Sequence, residues 1–187
     1  ISDRDYLSLG APNWRPDKLN EQIDRCDVVL AVGTRLARTT FKEEQPVVQV
    51  DVDADEIGRN YSNTLGIVGD ARRCLEELHD VLLSMMPARP SRREEMETVR
   101  AARSDPSGQV EPQASFVRAI RAAIPEDGIL VEGVTQVGYC CRVYYPVYVP
   151  GTYLTSSYFG NLGYVYPTAL GAKVAQPDRA VVALSGD

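Results

Sequence analysis

Three stretches of this 187-residue chain carry residue types that can hold a phosphate and a divalent cation. Thr135 and Gln136 offer a hydroxyl and an amide just after an apolar run that ends in Gly133. Gly160, Asn161, Leu162 and Gly163 form a glycine-rich entry to a helix, where a bulky ligand can come close to the backbone. Gly186 and Asp187 follow the small and β-branched run 180–185. Helix N-termini attract anions, and ligands of open α/β sheets bind outside the carboxyl ends of the strands. A carboxylate such as Asp187 at that rim supplies a hard oxygen suited to magnesium, which in turn holds a phosphate. Each feature alone is routine at a turn. Together they point to a phosphate-and-metal site, provided that a parallel sheet brings the three strand ends to one edge.

A second constellation lies earlier. Gly33, Thr34 and Arg35 end an apolar run with a glycine and a cation. That arrangement suits a nucleotide phosphate with Arg35 as counter-charge, and equally a surface turn with a salt-bridged arginine. Asp51, at the end of another run, can accept a hydrogen bond from a ribose hydroxyl. No GxGxxG and no Walker lysine motif occurs in the chain. The acidic run from Asp51 to Gly58 fails as a calcium loop, because Glu56 stands where the sharp turn needs glycine and Ser62 where a bidentate glutamate belongs. A strand end leading to a short helix capped by Asp53 or Asp55 is the better reading.

The elements that must position these residues follow from periodicity. Residues 17–25 space Leu19, Ile23 and Cys26 helically and run into 27–33, an apolar stretch typical of a strand buried on both faces. Residues 46–51 and 65–69 give two more strands, and Asp70 caps a helix through Cys74, Leu75, Leu78, Leu82 and Leu83. Pro87, Pro90, Pro106 and Pro112 then punctuate a stretch of mixed charge that predicts a linker with one solvated helix. Beyond it come an amphipathic helix with Phe116, Val117, Ile120 and Ile124, a strand at 128–133, a helix at 136–145, a short strand at 152–155, a helix ending near Pro177, and a buried strand at 180–185. This alternation predicts an α/β fold of two doubly wound parallel-sheet units. The first occupies 1–86, the linker 87–112, and the second 113–187, where the chain ends before a sheet is complete.

Bulk properties exclude several classes. A net charge of −6 argues against a broad nucleic-acid footprint, and no apolar stretch approaches the roughly 18 to 20 residues that span a bilayer. The start at Ile1 offers neither an initiator methionine nor a signal peptide, so the chain reads as an internal piece of a longer protein. Cys26, Cys74, Cys140 and Cys141 show no CxxC spacing and read as reduced thiols of a cytoplasmic protein. His79, the single histidine, sits among Glu76, Glu77 and Asp80 and leaves no histidine-based triad to build.

At these residues the chain resembles the thiamine-diphosphate-dependent enzymes of the acetolactate synthase and 2-oxo acid decarboxylase group. Residues 160–187 resemble that family's glycine–helix–strand segment, and 51–71, with Glu56 to Asn60 and Gly66 to Asp70, is similar to the close of its central domain. The resemblance implies a Rossmann-like central-domain portion followed by the start of the cofactor-binding domain. It implies thiamine diphosphate and magnesium as cofactors, with Asp187 as first metal ligand, Gly186 beside it, and Thr135 and Gln136 on the diphosphate. Gly160, Asn161 and Gly163 would line the cofactor, with Leu162 as the apolar support under its bend. The implied activity is decarboxylation of a 2-oxo acid with ligation of the product. The alternatives are a simple decarboxylase of the benzoylformate or pyruvate type, and a catalytically inactive nucleotide-binding scaffold of the same fold.

The resemblance places no catalytic residue in this segment, which would be inactive alone, and implies a homodimer or homotetramer. Val137 stands where many synthases carry a histidine. Ala37 and Thr39 replace the charged residues typical of flavin-binding members, which leaves flavin adenine dinucleotide open. Gly33, Thr34, Arg35, Asp51 and Asp70 are the groove that would line it.

Overall fold

The computed structural model describes residues 1–12, 17–37, 41–42, 44–156 and 159–186. It divides into two compact units, one of residues 15–92 and one of 93–187 together with 1–14.

In the first unit, α1 (Lys18–Asp24) starts at Asp17, whose carboxylate accepts from the N–H groups of Leu19 and Asn20. Strands β1 (Val29–Val32), β2 (Val47–Asp51) and β3 (Thr64–Val68) form a parallel sheet in the order β1-β2-β3. Ala31 and Val47 are buried on one face under Leu36, Phe41 and Tyr61. On that face lies Gln49, also buried. Its amide nitrogen donates to the carbonyls of Thr34 and Glu56 (both 3.1 Å), and its oxygen accepts from the Gly58 N–H (2.9 Å). One polar side chain thereby fixes the loops that leave β1 and β2, its nitrogen and its oxygen both partnered.

The opposite face does not meet the expectation of burial on both sides. Leu30 is 46% exposed and Leu65 67%, because no described element of this unit covers the sheet at β1 and β3. Asp53 caps the short turn after β2, as one of the two expected caps, accepting from the Asp55 N–H. Asp70 caps α2 (Ala71–Met85), none of whose residues is fully buried.

In the second unit the sheet order is β5-β4-β6, all parallel, with β4 (Ile129–Glu132) between β5 (Tyr153–Thr155) and β6 (Val181–Leu184). Alternation along β4 splits the core. Leu130 packs with Val117 and Ile124 of the α4 region and with Cys140, Cys141 and Tyr145 of the α5 region. Ile129 and Val131 pack with Val165 of α6. Here α4 is Gln113–Ala123, α5 Gln136–Tyr144 and α6 Val165–Ala175. Every residue of β4 is buried. Among the described residues β6 is an outermost strand, and Val182 is 37% exposed. Phe116 turns outward from α4, which buries Ala114 and Val117 instead.

The predicted linker helix is α3 (Arg93–Ser104), and it is not fully solvated, since Met96 and Val99 are buried. It holds the first residues of the chain. Arg100 donates to the carbonyls of Asp3 and Asp5, Arg103 donates to the Ala11 carbonyl, and the Arg93 guanidinium lies 3.9 Å from the centre of the Tyr6 ring. Residues 1–14 therefore group by contact with 93–187.

Candidate functional site

The chain runs from β4 out to β5 and then crosses back over β4 to reach β6. This reversal creates a switch point between β4 and β6, the place where an open α/β sheet opens a crevice at its carboxyl edge. The loops leaving these two strands meet there. Gly133 N–H donates to the Leu184 carbonyl (3.0 Å), and the Thr135 N–H turns back to the Gly133 carbonyl (2.9 Å). Thr135 is the N-cap of α5, its hydroxyl oxygen accepting from the Gly138 N–H at 2.8 Å. Gly186 lies against this cap: a Cβ built on it would stand 3.2 Å from Thr135 Cγ2 and 4.0 Å from the Val134 carbonyl oxygen. Gly133 abuts the first residue of α6, since a Cβ there would stand 2.5 Å from Val165 Cγ2.

The structure thus brings Thr135, Gly186 and the start of α6 to one edge of one sheet. Gly160 and Gly163, in the loop that enters α6, have φ of +60° and +77°, a conformation that favours glycine. Built Cβ atoms at both meet nothing within 4 Å. Asn161 is exposed, and the Leu162 side chain is 80% exposed. Gln136 is also exposed, and its side-chain oxygen accepts from Gln113 Nε2 (2.9 Å). Asp187 lies outside the described residues.

A helix N-terminus, its capping hydroxyl and a bend narrowed to glycine where it meets the cap thus form a cradle at this edge, and such groups suit an anion such as a phosphate. Among the described residues no cluster of three or more histidine, cysteine, aspartate or glutamate side chains could hold a metal ion.

Directly beneath this rim is a polar cluster that the sequence reading did not single out. Glu132, the last residue of β4, is wholly buried. Its Oε1 accepts from Arg142 Nε (2.8 Å) and from the Thr155 hydroxyl, so the carboxylate ties β4 to α5 and β5. Glu132 Oε2, Arg142 Nη2 and the hydroxyls of Tyr153 and Ser156 are buried with no hydrogen-bond partner. Burial first, and then the negative charge of Glu132, pushes the Tyr153 hydroxyl up. The same two causes, in that order, push the Cys141 thiol up to about 12. The available signal was one acidic residue closing an otherwise apolar strand, Ile129-Leu130-Val131-Glu132, with an arginine ten positions on.

In the first unit, parallel pairing also aligns the ends of β1, β2 and β3. Gly33 N–H donates to the Val50 carbonyl and Gly69 N–H to the Asp51 carbonyl, both at 2.9 Å. Gly33 has φ +59° and open space at its Cβ position. The Thr34 hydroxyl oxygen accepts from the Leu36 N–H, and the Arg35 carbonyl accepts from the Asn60 amide. Asp51 and Asp70 each spend one carboxylate oxygen on a backbone N–H, of Asp53 and Arg73 respectively. Asp51, Gly33 and the residue before Asp70 therefore share one rim, and Thr39 lies outside the described residues. His79 stands on the exposed surface of α2 beside Asp80.

Among the described residues no helix is long and apolar enough to cross a membrane. A family model described as "Thiamine pyrophosphate enzyme, central domain" matches residues 1–78, and one described as "Thiamine pyrophosphate enzyme, C-terminal TPP binding domain" matches residues 133–187. A probable sulfoacetaldehyde acetyltransferase from Rhizobium meliloti (strain 1021) is 32% identical over 97% of the chain and 36% of its own length. A probable 2-ketoarginine decarboxylase from Pseudomonas aeruginosa is 31% identical over 95% of the chain and 32% of its own length. The acetolactate synthase isozyme 3 large subunit of Escherichia coli (strain K12) is 28% identical over 90% of the chain and 32% of its own length. The chain thus spans about a third of the length of these curated relatives. With a switch-point cradle at the edge of its second sheet, and with two consecutive domains of one family matched in order, the chain belongs to the thiamine-pyrophosphate-dependent enzymes.

Proposed function

We propose that the full-length protein is an acetolactate-synthase-like enzyme that uses thiamine diphosphate and magnesium to decarboxylate a 2-oxo acid and ligate the product to a second carbonyl compound. The observation that carries this reading is the meeting of Thr135 and Gly186 at the β4–β6 switch point, in front of the start of α5. The first N–H groups of α5, the Thr135 hydroxyl and the Gln136 amide would bind the diphosphate. Asp187, following Gly186 directly, would hold the magnesium ion that neutralises it. Gly160 and Gly163 would let the cofactor pass close to the backbone, and Leu162 would brace it from below with an apolar surface that excludes water. When bound, the coenzyme supplies the nucleophilic carbon and the electron sink on which loss of carbon dioxide depends.

A second reading, decarboxylation without ligation, is favoured by the similarity to the probable 2-ketoarginine decarboxylase. In either reading the protein would act on a small 2-oxo acid, as a cytoplasmic homodimer or homotetramer, and this segment alone would be inactive. The test uses full-length protein incubated with pyruvate, thiamine diphosphate and magnesium. Acetolactate is the expected product; acetaldehyde alone would select the second reading, and no turnover of pyruvate or any other 2-oxo acid would overturn both. Asp187→Ala should abolish magnesium-dependent cofactor binding by calorimetry, because the diphosphate would then face uncompensated charge. Unchanged affinity would remove Asp187 from the site.

A further inference from the structure

We propose that Arg142 is a positioning residue for the diphosphate end of α5, because its guanidinium neutralises the Glu132 carboxylate beneath the first turn and so leaves that turn free to receive an external anion. The inference rests on the reading of this rim as the cofactor site. Glu132 is fully buried, and a Cβ built on Gly138 would stand 2.6 Å from its Oε2 and 3.0 Å from Thr135 Oγ1. The carboxylate is therefore packed beneath the same turn that Thr135 caps. The partial positive charge at a helix start attracts any nearby anion, so an internal carboxylate there competes with a ligand phosphate and repels it.

The structure counters this with a device of several parts. Arg142, in the second turn of α5, places Nε 2.8 Å from Glu132 Oε1, and Thr155 adds a hydroxyl to the same oxygen from the neighbouring strand. The Arg142 side chain is only 20% exposed, and its guanidinium carbon lies 5.2 Å from the centre of the Tyr139 ring on the preceding turn. Its charge is thus held at the carboxylate rather than spread into solvent. Buried Glu132 Oε2 and Arg142 Nη2 have no hydrogen-bond partner.

Single variants at the two positions should affect cofactor affinity unequally, only loss of the cation weakening it, which a merely structural pair would not do. In full-length apoprotein, thiamine diphosphate affinity is measured by calorimetry with saturating magnesium, and thermal unfolding of each variant is recorded without ligand. Arg142→Met should bind about ten-fold more weakly. Glu132→Gln, isosteric but uncharged, should bind no more weakly than the parent even where its unfolding temperature falls. The Glu132→Gln/Arg142→Met double variant should regain the affinity that Arg142→Met loses. Arg142→Lys, which keeps the charge, should stay within about three-fold of the parent and covers the case in which Arg142→Met fails to fold. Glu132→Gln losing affinity in step with Arg142→Met would overturn the proposal and leave the site itself standing. A parent protein that takes up no thiamine diphosphate would overturn the reading of the rim as well.

Discussion

Gly138 is the residue at which α5 closes onto its sheet. A methyl group there would overlap the Gly133 carbonyl oxygen and crowd Glu132 Oε2, and the first of these is backbone that cannot swing aside. Gly138→Ala should therefore destabilise the protein by about 1–3 kcal/mol or more, although alanine ordinarily favours a helix over glycine. Urea unfolding of the full-length variant checks the sign, and a stabilised variant would show that the helix start has room to move. Breaking the Glu132–Arg142 pair by removing one partner belongs to the costlier class of about 3–5 kcal/mol, because the survivor is a buried charge.

At this scale the chain was partly legible. Thr135, Gln136 and Gly186 could be named because turn glycines and capping hydroxyls are signalled by type. Glu132 and Gln49 could not, because their roles depend on partners 10 to 23 residues away in Glu132 and 7 to 15 residues away in Gln49 that only the folded sheet brings near.

Elements were read more completely than their surroundings. Among the described residues six strands and six α-helices follow the periodic runs of the sequence, since alternating apolar segments and capping aspartates report local structure directly. Burial was misjudged where it depends on neighbours. β4 and β6 have similar compositions, yet among the described residues β4 is covered on both faces and β6 is outermost. Likewise, 27–33 has the composition of a central strand while Leu30 faces outward.

The α5 cysteines give an element-scale test. Cys140 and Cys141 are both buried, with burial pushing up both thiols, and Cys26 is exposed. With a disulfide reagent at about pH 8, Cys26 should react at once and the α5 pair only on unfolding. Fast reaction of Cys140 or Cys141 in native protein would show that α5 opens readily. The Cys141 thiol is raised from 9.0 to about 12, so the folded form retains a proton that the unfolded form has shed. This contribution to stability is present below pH 9 and is lost as pH rises toward 12.

At the scale of the whole chain, two parallel three-stranded sheets follow one another, each with its strand ends gathered at one edge. The two rims have unequal equipment. In the second unit the Thr135 hydroxyl and the start of a helix of nine residues lie at the edge. In the first, Asp51 and Asp70 already spend carboxylate oxygens on their own backbone turns. Flavin adenine dinucleotide at the Gly33 rim is accordingly the weaker prospect. Purified full-length protein should be colourless or carry flavin well below one per chain by absorption spectroscopy, and a full yellow complement would reverse that ranking.

The strand order β5-β4-β6 also bears on how such a chain is made. Synthesis proceeds from the N-terminus, and β6 is the last strand of the segment, pairing with a partner about fifty residues behind it. Until residues 181–184 have emerged and crossed back over β4, Gly186 has no neighbour at Thr135 and no cradle exists. A nascent chain stalled before that point would hold a capped helix and half a crevice, with nothing yet on which the coenzyme could act as a folding aid.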